Sequence, residues 1–181
     1  MAATGRARKR NQGGCVPAVE PSQVILPFRA AMEARDLDAA VDSFAPDAVL
    51  RSPLTAGLVF TGREQIRAVM GVILDSFSDL RYTDELRGEN AAVLVSRARV
   101  GGQDIETIDH MRLRPDGRIG EFTVFFRPLP ATAVALRVIG TGLGRRKSPA
   151  RAAVISALAR PLGFMTRVGD GIGVRLVRSS L

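Results

Sequence analysis

The sequence predicts an α+β fold in which three helices come first and a curved antiparallel sheet follows. Two observations carry this. Up to Leu74 the apolar residues recur at helical spacing. Beyond Ser78 they alternate at period two over four segments joined by Gly88-Glu89-Asn90, Gly101-Gly102 and Pro115-Asp116-Gly117, turns short enough for an antiparallel meander. Helices that precede such a sheet pack on one of its faces.

Order is expected from Pro21-Ser22, where Val24, Ile25, Phe28, Ala31 and Met32 form the apolar face of a first helix. Asp36 caps a second, short helix with Leu37, Ala40, Val41 and Phe44 inward, stopped at Pro46-Asp47. Ala48-Val49-Leu50 reads as a short strand ended by Pro53. Thr61-Gly62-Arg63-Glu64 has capping-box spacing and opens a third helix carrying Ile66, Val69, Met70, Ile73 and Leu74. The strands then run Leu80 to Arg87, Ala91 to Val100, Asp104 to Arg114 and Arg118 to Leu129.

Alternation also sorts the two faces of the sheet. Thr107, Asp109, Met111 and Leu113 share one side, and Glu106, His110, Arg112 and Arg114 the other. On the last strand Phe122, Val124 and Phe126 oppose Glu121, Thr123 and Arg127. The apolar sets face the helices, so Asp109 lies on the apolar side and His110 points away.

Charge divides the chain into three parts. Of 181 residues with a formal charge of +8, the first twenty hold four basic groups against Glu20. Residues 21–130 hold thirteen arginines against sixteen carboxylates, and residues 131–181 hold nine basic groups against Asp170 alone. Residues 1–20 read as a disordered basic arm, 21–130 as the folded domain and 131–181 as a basic, partly helical extension. Within that extension Ser148-Pro149 opens a helix through Ala152 to Ala159, broken at Pro161.

Composition narrows the chemistry. A single cysteine, Cys15, excludes an internal disulfide and cysteine metal clusters, and the single histidine, His110, excludes a histidine-rich zinc site. No metal and no cofactor is expected. Arg6 to Arg10 leads into no apolar run, and no stretch is long enough to cross a bilayer, so a cytoplasmic protein is expected.

Three stretches, in this order, resemble a known family: RDLDAAVDSFAPDAVLRSPL (Arg35 to Leu54), TGREQIRAVM (Thr61 to Met70) and IDHMRLRPDGRI (Ile108 to Ile119). Together they are similar to the nuclear transport factor 2-like superfamily, in its SnoaL-like and ketosteroid isomerase-like branches. The resemblance implies a cone, a curved sheet wrapped around helices, often dimeric through the outer sheet face. Of the three groups that carry isomerase chemistry, only the protonated aspartic acid has a match, Asp109. Ser52 stands where the base belongs and Phe28 where the helix-one tyrosine belongs. The cyclase branch uses an acid on the last strand, where this chain has Phe122, Val124 and Phe126. The epoxide-hydrolase branch needs an Asp–Arg–Asp set; Arg97 and Arg99 are available, but a second inward carboxylate is not.

The candidate site is therefore Asp109 as the catalytic or polar group, in a pocket walled by Phe28, Ser52, Met70, Met111, Phe122, Val124 and Phe126. An unpaired carboxylate facing an apolar cavity has its pKa raised by desolvation, whereas a paired one is structural. Two functions follow. One is a pocket for a small apolar carbonyl compound, with isomerase- or cyclase-type activity as its catalytic form. The other is a non-catalytic homodimeric interaction module whose tail, residues 131–181, meets an acidic partner, a membrane surface or nucleic acid. The tail's apolar residues have a further use, packing on the cone or on a second subunit.

Overall fold

The computed structural model describes residues 22–179 except 54 and 56. The basic arm and Cys15 lie outside the described residues.

Helix α1 (Ser22–Ala34) and helix α2 (Leu37–Asp42) come first, and Asp36 caps α2 by accepting from the Ala39 N–H at 3.0 Å. Strand β1 (Phe44–Arg51) is longer than its sequence suggests and contains Pro46, which lies beyond the end of α2. The reason is its pairing. β1 runs parallel to the last strand, and the register shifts between Phe44 and Val49, so Pro46 sits where no ladder bond is needed. Strand β2 (Val59–Thr61), not expected from the sequence, forms the short edge against β1.

Helix α3 (Gly62–Ser76) starts at Thr61 as expected, but no capping box forms. The Thr61 hydroxyl makes no cap bond; instead Gln65 Oε1 accepts from the Thr61 N–H at 3.0 Å. Strands β3 (Phe77–Arg87), β4 (Ala91–Val100), β5 (Gln103–Leu113) and β6 (Ile119–Arg127) form the expected antiparallel meander. Met111 stands opposite Phe122 and Asp109 opposite Val124, which fixes the inward faces of β5 and β6 as the alternation requires. The six strands lie in the order β2-β1-β6-β5-β4-β3, a curved and unclosed sheet around the helices.

The interior has two parts. In the first, Phe28, Phe44 and Phe122 meet with ring centroids 5.5–5.7 Å apart, beside Ile66, Met70 and Leu94. The second is closed by helix α4 (Leu129–Lys147), whose Ala131, Val134, Ala135 and Ile139 pack on Val72, Phe77, Val100 and Ile105. Two glycines let α4 approach. A Cβ on Gly142 would stand 2.5 Å from Val72 Cγ1, and one on Gly101, at φ +54°, would stand 2.7 Å from Val134 Cγ1.

Helix α5 (Pro149–Ser179) does not stop at Pro161; the proline lies inside it. Gly144 meets Ala152 and Gly140 meets Ile155, so α5 doubles back along α4. Ala159 and Gly163, on either side of the proline, are buried and carry the helix past the lost backbone bond.

Candidate functional site

Asp109 is placed by parity. It follows Ile105 and Thr107 and precedes Met111 on the inward face of β5, and only 6% of its surface is exposed. Around it is a cavity of about 40 Å³. Phe28, Met70, Phe122, Val124 and Phe126 line it, together with Met32, Ile73 and Tyr82. Its polar groups come from the sheet: Asp109, Tyr82, and a Ser96–Thr107 hydroxyl pair 2.8 Å apart.

No cation pairs with Asp109 among the described residues; its side-chain partner is Tyr82, whose hydroxyl donates to Oδ2 at 3.4 Å. Burial pushes the Asp109 carboxyl up to about 7, with the Tyr82 hydrogen bond pulling the other way. Burial also raises the Tyr82 phenol, with the neighbouring Asp109 charge adding to it. The two groups therefore form a neutral hydrogen-bonded pair at slightly acid pH and below, and a tyrosine-stabilised carboxylate above.

Ser52 is not at this cavity. It lines a second one, of about 50 Å³, with Leu50, Pro53 and Phe60 on one side and Leu136, Ile139 and Leu143 of α4 on the other. Ile73, Val124 and Phe126 line both cavities and so form the wall between them. Met111 is fully buried in the first part of the core and lines neither. His110 is half-buried on the opposite side of β5 from Asp109. Arg97 and Arg99 also lie on the outer face, where they pair with Glu106 at 3.0 Å and Asp104 at 3.2 Å. Larger clefts of about 600 and 530 Å³ open elsewhere on the surface, walled by charged groups such as Arg81 and Asp79. Among the described residues no three His, Cys, Asp or Glu side chains converge as a metal site needs.

Sequence reasoning missed Tyr82. β3 carries two register irregularities against β4, between Ser78 and Arg81 and between Tyr82 and Asp84. The first changes the parity of the strand, so Phe77 and Tyr82, five positions apart, both end up buried. The available signal was composition: Tyr82 is the chain's single tyrosine, and it sits on β3, separated by β4 alone from the strand bearing the inward acid.

The SnoaL-like domain family matches residues 26–122, more than half of the chain. Among solved structures, a steroid delta-isomerase from Pseudomonas aeruginosa is 28% identical, with a TM-score of 0.62, over 74% of this chain and 96% of that one. A cystatin-like-fold protein from Silicibacter pomeroyi is 23% identical, TM-score 0.61, over 71% and 88%. An epoxide hydrolase/cyclase-like enzyme of pyran ring formation in salinomycin is 17% identical, TM-score 0.51, over 59% and 90%, and shows the shared fold. No curated protein matches the chain. The chain belongs to the SnoaL-like domain family, with the cone fold of the nuclear transport factor 2-like superfamily.

Proposed function

We propose that this SnoaL-like chain encloses a small apolar molecule bearing a carbonyl group, held by the protonated carboxyl of Asp109. The setting of Asp109 carries the reading: a buried acid with no cation beside it among the described residues, bonded by Tyr82 at one oxygen, with a midpoint of about 7. Near neutral pH a large share of molecules hold the neutral acid, whose O–H can donate to a carbonyl oxygen. In dry, apolar surroundings such a donor polarises the carbonyl and steadies the negative charge of an enolate.

Activity of the isomerase type also needs a base. Among the described residues, Asp109 is the one carboxylate that lines either cavity. A serine hydroxyl such as that of Ser52 does not take a proton from carbon at neutral pH without a base of its own. The name of the Pseudomonas aeruginosa relative makes a steroid the obvious candidate ligand. Size argues for something smaller, because a drug-sized ligand occupies roughly 300 Å³ or more. A small cyclic ketone fits the chemistry if the wall of Ile73 and Phe126 yields, joining the two cavities.

The test uses the chain's own reporters. Met32 and Met70 line the cavity, Met111 is buried apart from it, and Met165 is exposed on α5. On addition of cyclopentanone or cyclohexanone, the labelled methyl signals of Met32 and Met70 should move while Met165 stays still. Binding should weaken about tenfold per pH unit well above the Asp109 midpoint, since the ionised form cannot donate. Asp109→Asn should bind more weakly than the neutral acid and show no such pH dependence. Turnover of a Δ5-3-ketosteroid above the buffer rate would instead mean that another base serves the site.

The small cavities favour a second reading, a non-catalytic module with a filled interior that acts through its surface. Ile108 and Phe125 stand opposite each other on the outer sheet face and are 40% and 54% exposed, a patch on which two copies could pair. In that case no ketone moves the Met32 or Met70 signals, and a Phe125→Glu variant dissociates the dimer.

A further inference from the structure

We propose that α5 docks along its exposed side on an anionic lipid bilayer surface, a role separate from the interior site. The observation is a row of large apolar side chains that the fold leaves in water: Val154, Leu158, Leu162, Met165, Val168 and Ile172, each 43–76% exposed. Successive members are three or four positions apart, so they share one face of the helix. At 1.5 Å per residue the row is about 27 Å long. Ala152, Ala159 and Gly163, the buried positions of α5, fall on the other side of the helix, against α4. α5 makes no comparable contact with any other element, so the row has no cover within the described residues.

Charge selects the occupant. Residues 131–181 carry nine basic groups against Asp170. A second copy would set two such segments side by side, and their like charges oppose pairing along this face. Nucleic acid would answer the charge but would leave leucine, methionine and isoleucine side chains with no apolar phase to enter. An anionic bilayer satisfies both: the row enters the boundary of the acyl region, and basic groups stay among the headgroups. Arg151 and Arg175, both exposed, lie on opposite sides of the row's centre line, roughly 45° and 75° from it by helical spacing, where a long side chain can reach upward to phosphate. No helix of the described residues is long and apolar enough to cross a membrane, so α5 lies on the surface.

Vesicle co-sedimentation of the full chain tests this. At low salt it should pellet with phosphatidylcholine–phosphatidylglycerol vesicles and remain in solution with phosphatidylcholine alone. The double variant Leu158→Glu/Met165→Glu changes two side chains that are 76% and 68% exposed, so its thermal midpoint should match the parent. Its partitioning should fall at least about tenfold, because two apolar anchors become charged. Arg151→Gln/Arg175→Gln should weaken anionic binding while leaving the fold intact. Raising salt from about 0.1 M to about 1 M should release most of the bound protein, as the screening length shrinks from about 10 Å to about 3 Å. Absence of binding to the anionic vesicles overturns the proposal. So does binding that Leu158→Glu/Met165→Glu leaves unchanged, which would mean charge alone is at work, as would equal affinity for double-stranded DNA. A dimer that the same variant dissolves, without vesicle binding, assigns the row to a second copy.

Discussion

Asp109→Asn should be more stable than the parent at pH 8, and the advantage should shrink steadily as the pH falls toward 4. The carboxyl titrates near 7 in the folded protein against 3.8 for an ordinary aspartate, because burial disfavours its charge. Between those values the unfolded chain has released the proton and the folded one retains it. Folding stability therefore falls as pH rises through this window and levels off above the folded midpoint. One pKa unit corresponds to about 1.4 kcal/mol, so the full difference between pH 4 and pH 8 amounts to at most about 4 kcal/mol. Asparagine occupies nearly the same volume and has no charge to bury, and any altered bond to Tyr82 adds an offset that pH does not change. Urea midpoints of the two proteins from pH 4 to pH 8 read the difference directly. Parallel curves would mean that the native carboxyl is ionised throughout and paired by something else.

Removal of residues 131–181 should unfold the chain, whereas removal of residues 149–181 should leave it folded. α4 contributes Val134 and Ile139, 5% and 7% exposed, to the second part of the core, along with Ala131 and Ala135. Burial of the two larger side chains alone is worth about 3–6 kcal/mol. That is comparable with the entire stability of a domain, about 5–15 kcal/mol. Without α4, Phe77, Val100 and Ile105 would face water. Among the described residues α5 packs mainly on α4, so its loss should lower the thermal midpoint only modestly. A shortened chain ending at Pro130 that still melts cooperatively would show that α4 is an attachment and not part of the core.

The parts of this fold that could be read from sequence are those where side-chain period and neighbour identity agree. The β5–β6 hairpin is one: its alternation, with Pro115-Asp116-Gly117 between, left a single register that buries Met111 and Phe122 together. The inward position of Asp109 follows from the same parity. Where local signals conflict with packing, the reading failed. Gly140, Gly142 and Gly144 lower helix propensity in α4, yet they are what lets Val72 and Ile155 come close. Pro161 marks a helix end by local rules and is overridden by packing on α4 to either side. Tyr82 was hidden because a bulge in β3 shifts the parity from which faces are inferred. The polar centre of the site is thus half legible: the acid by period, its hydroxyl partner only in three dimensions.

The most direct test of the central claim is the titration of the Asp109 side-chain carboxyl, followed by carbon-13 NMR in the full chain with Asp109→Asn as the assignment control. A neutral acid poised to donate to a carbonyl requires a midpoint near 7, as burial beside Tyr82 dictates. A midpoint at or below 4 would contradict the account, since it would make Asp109 a permanently ionised group and leave the cavity without its donor.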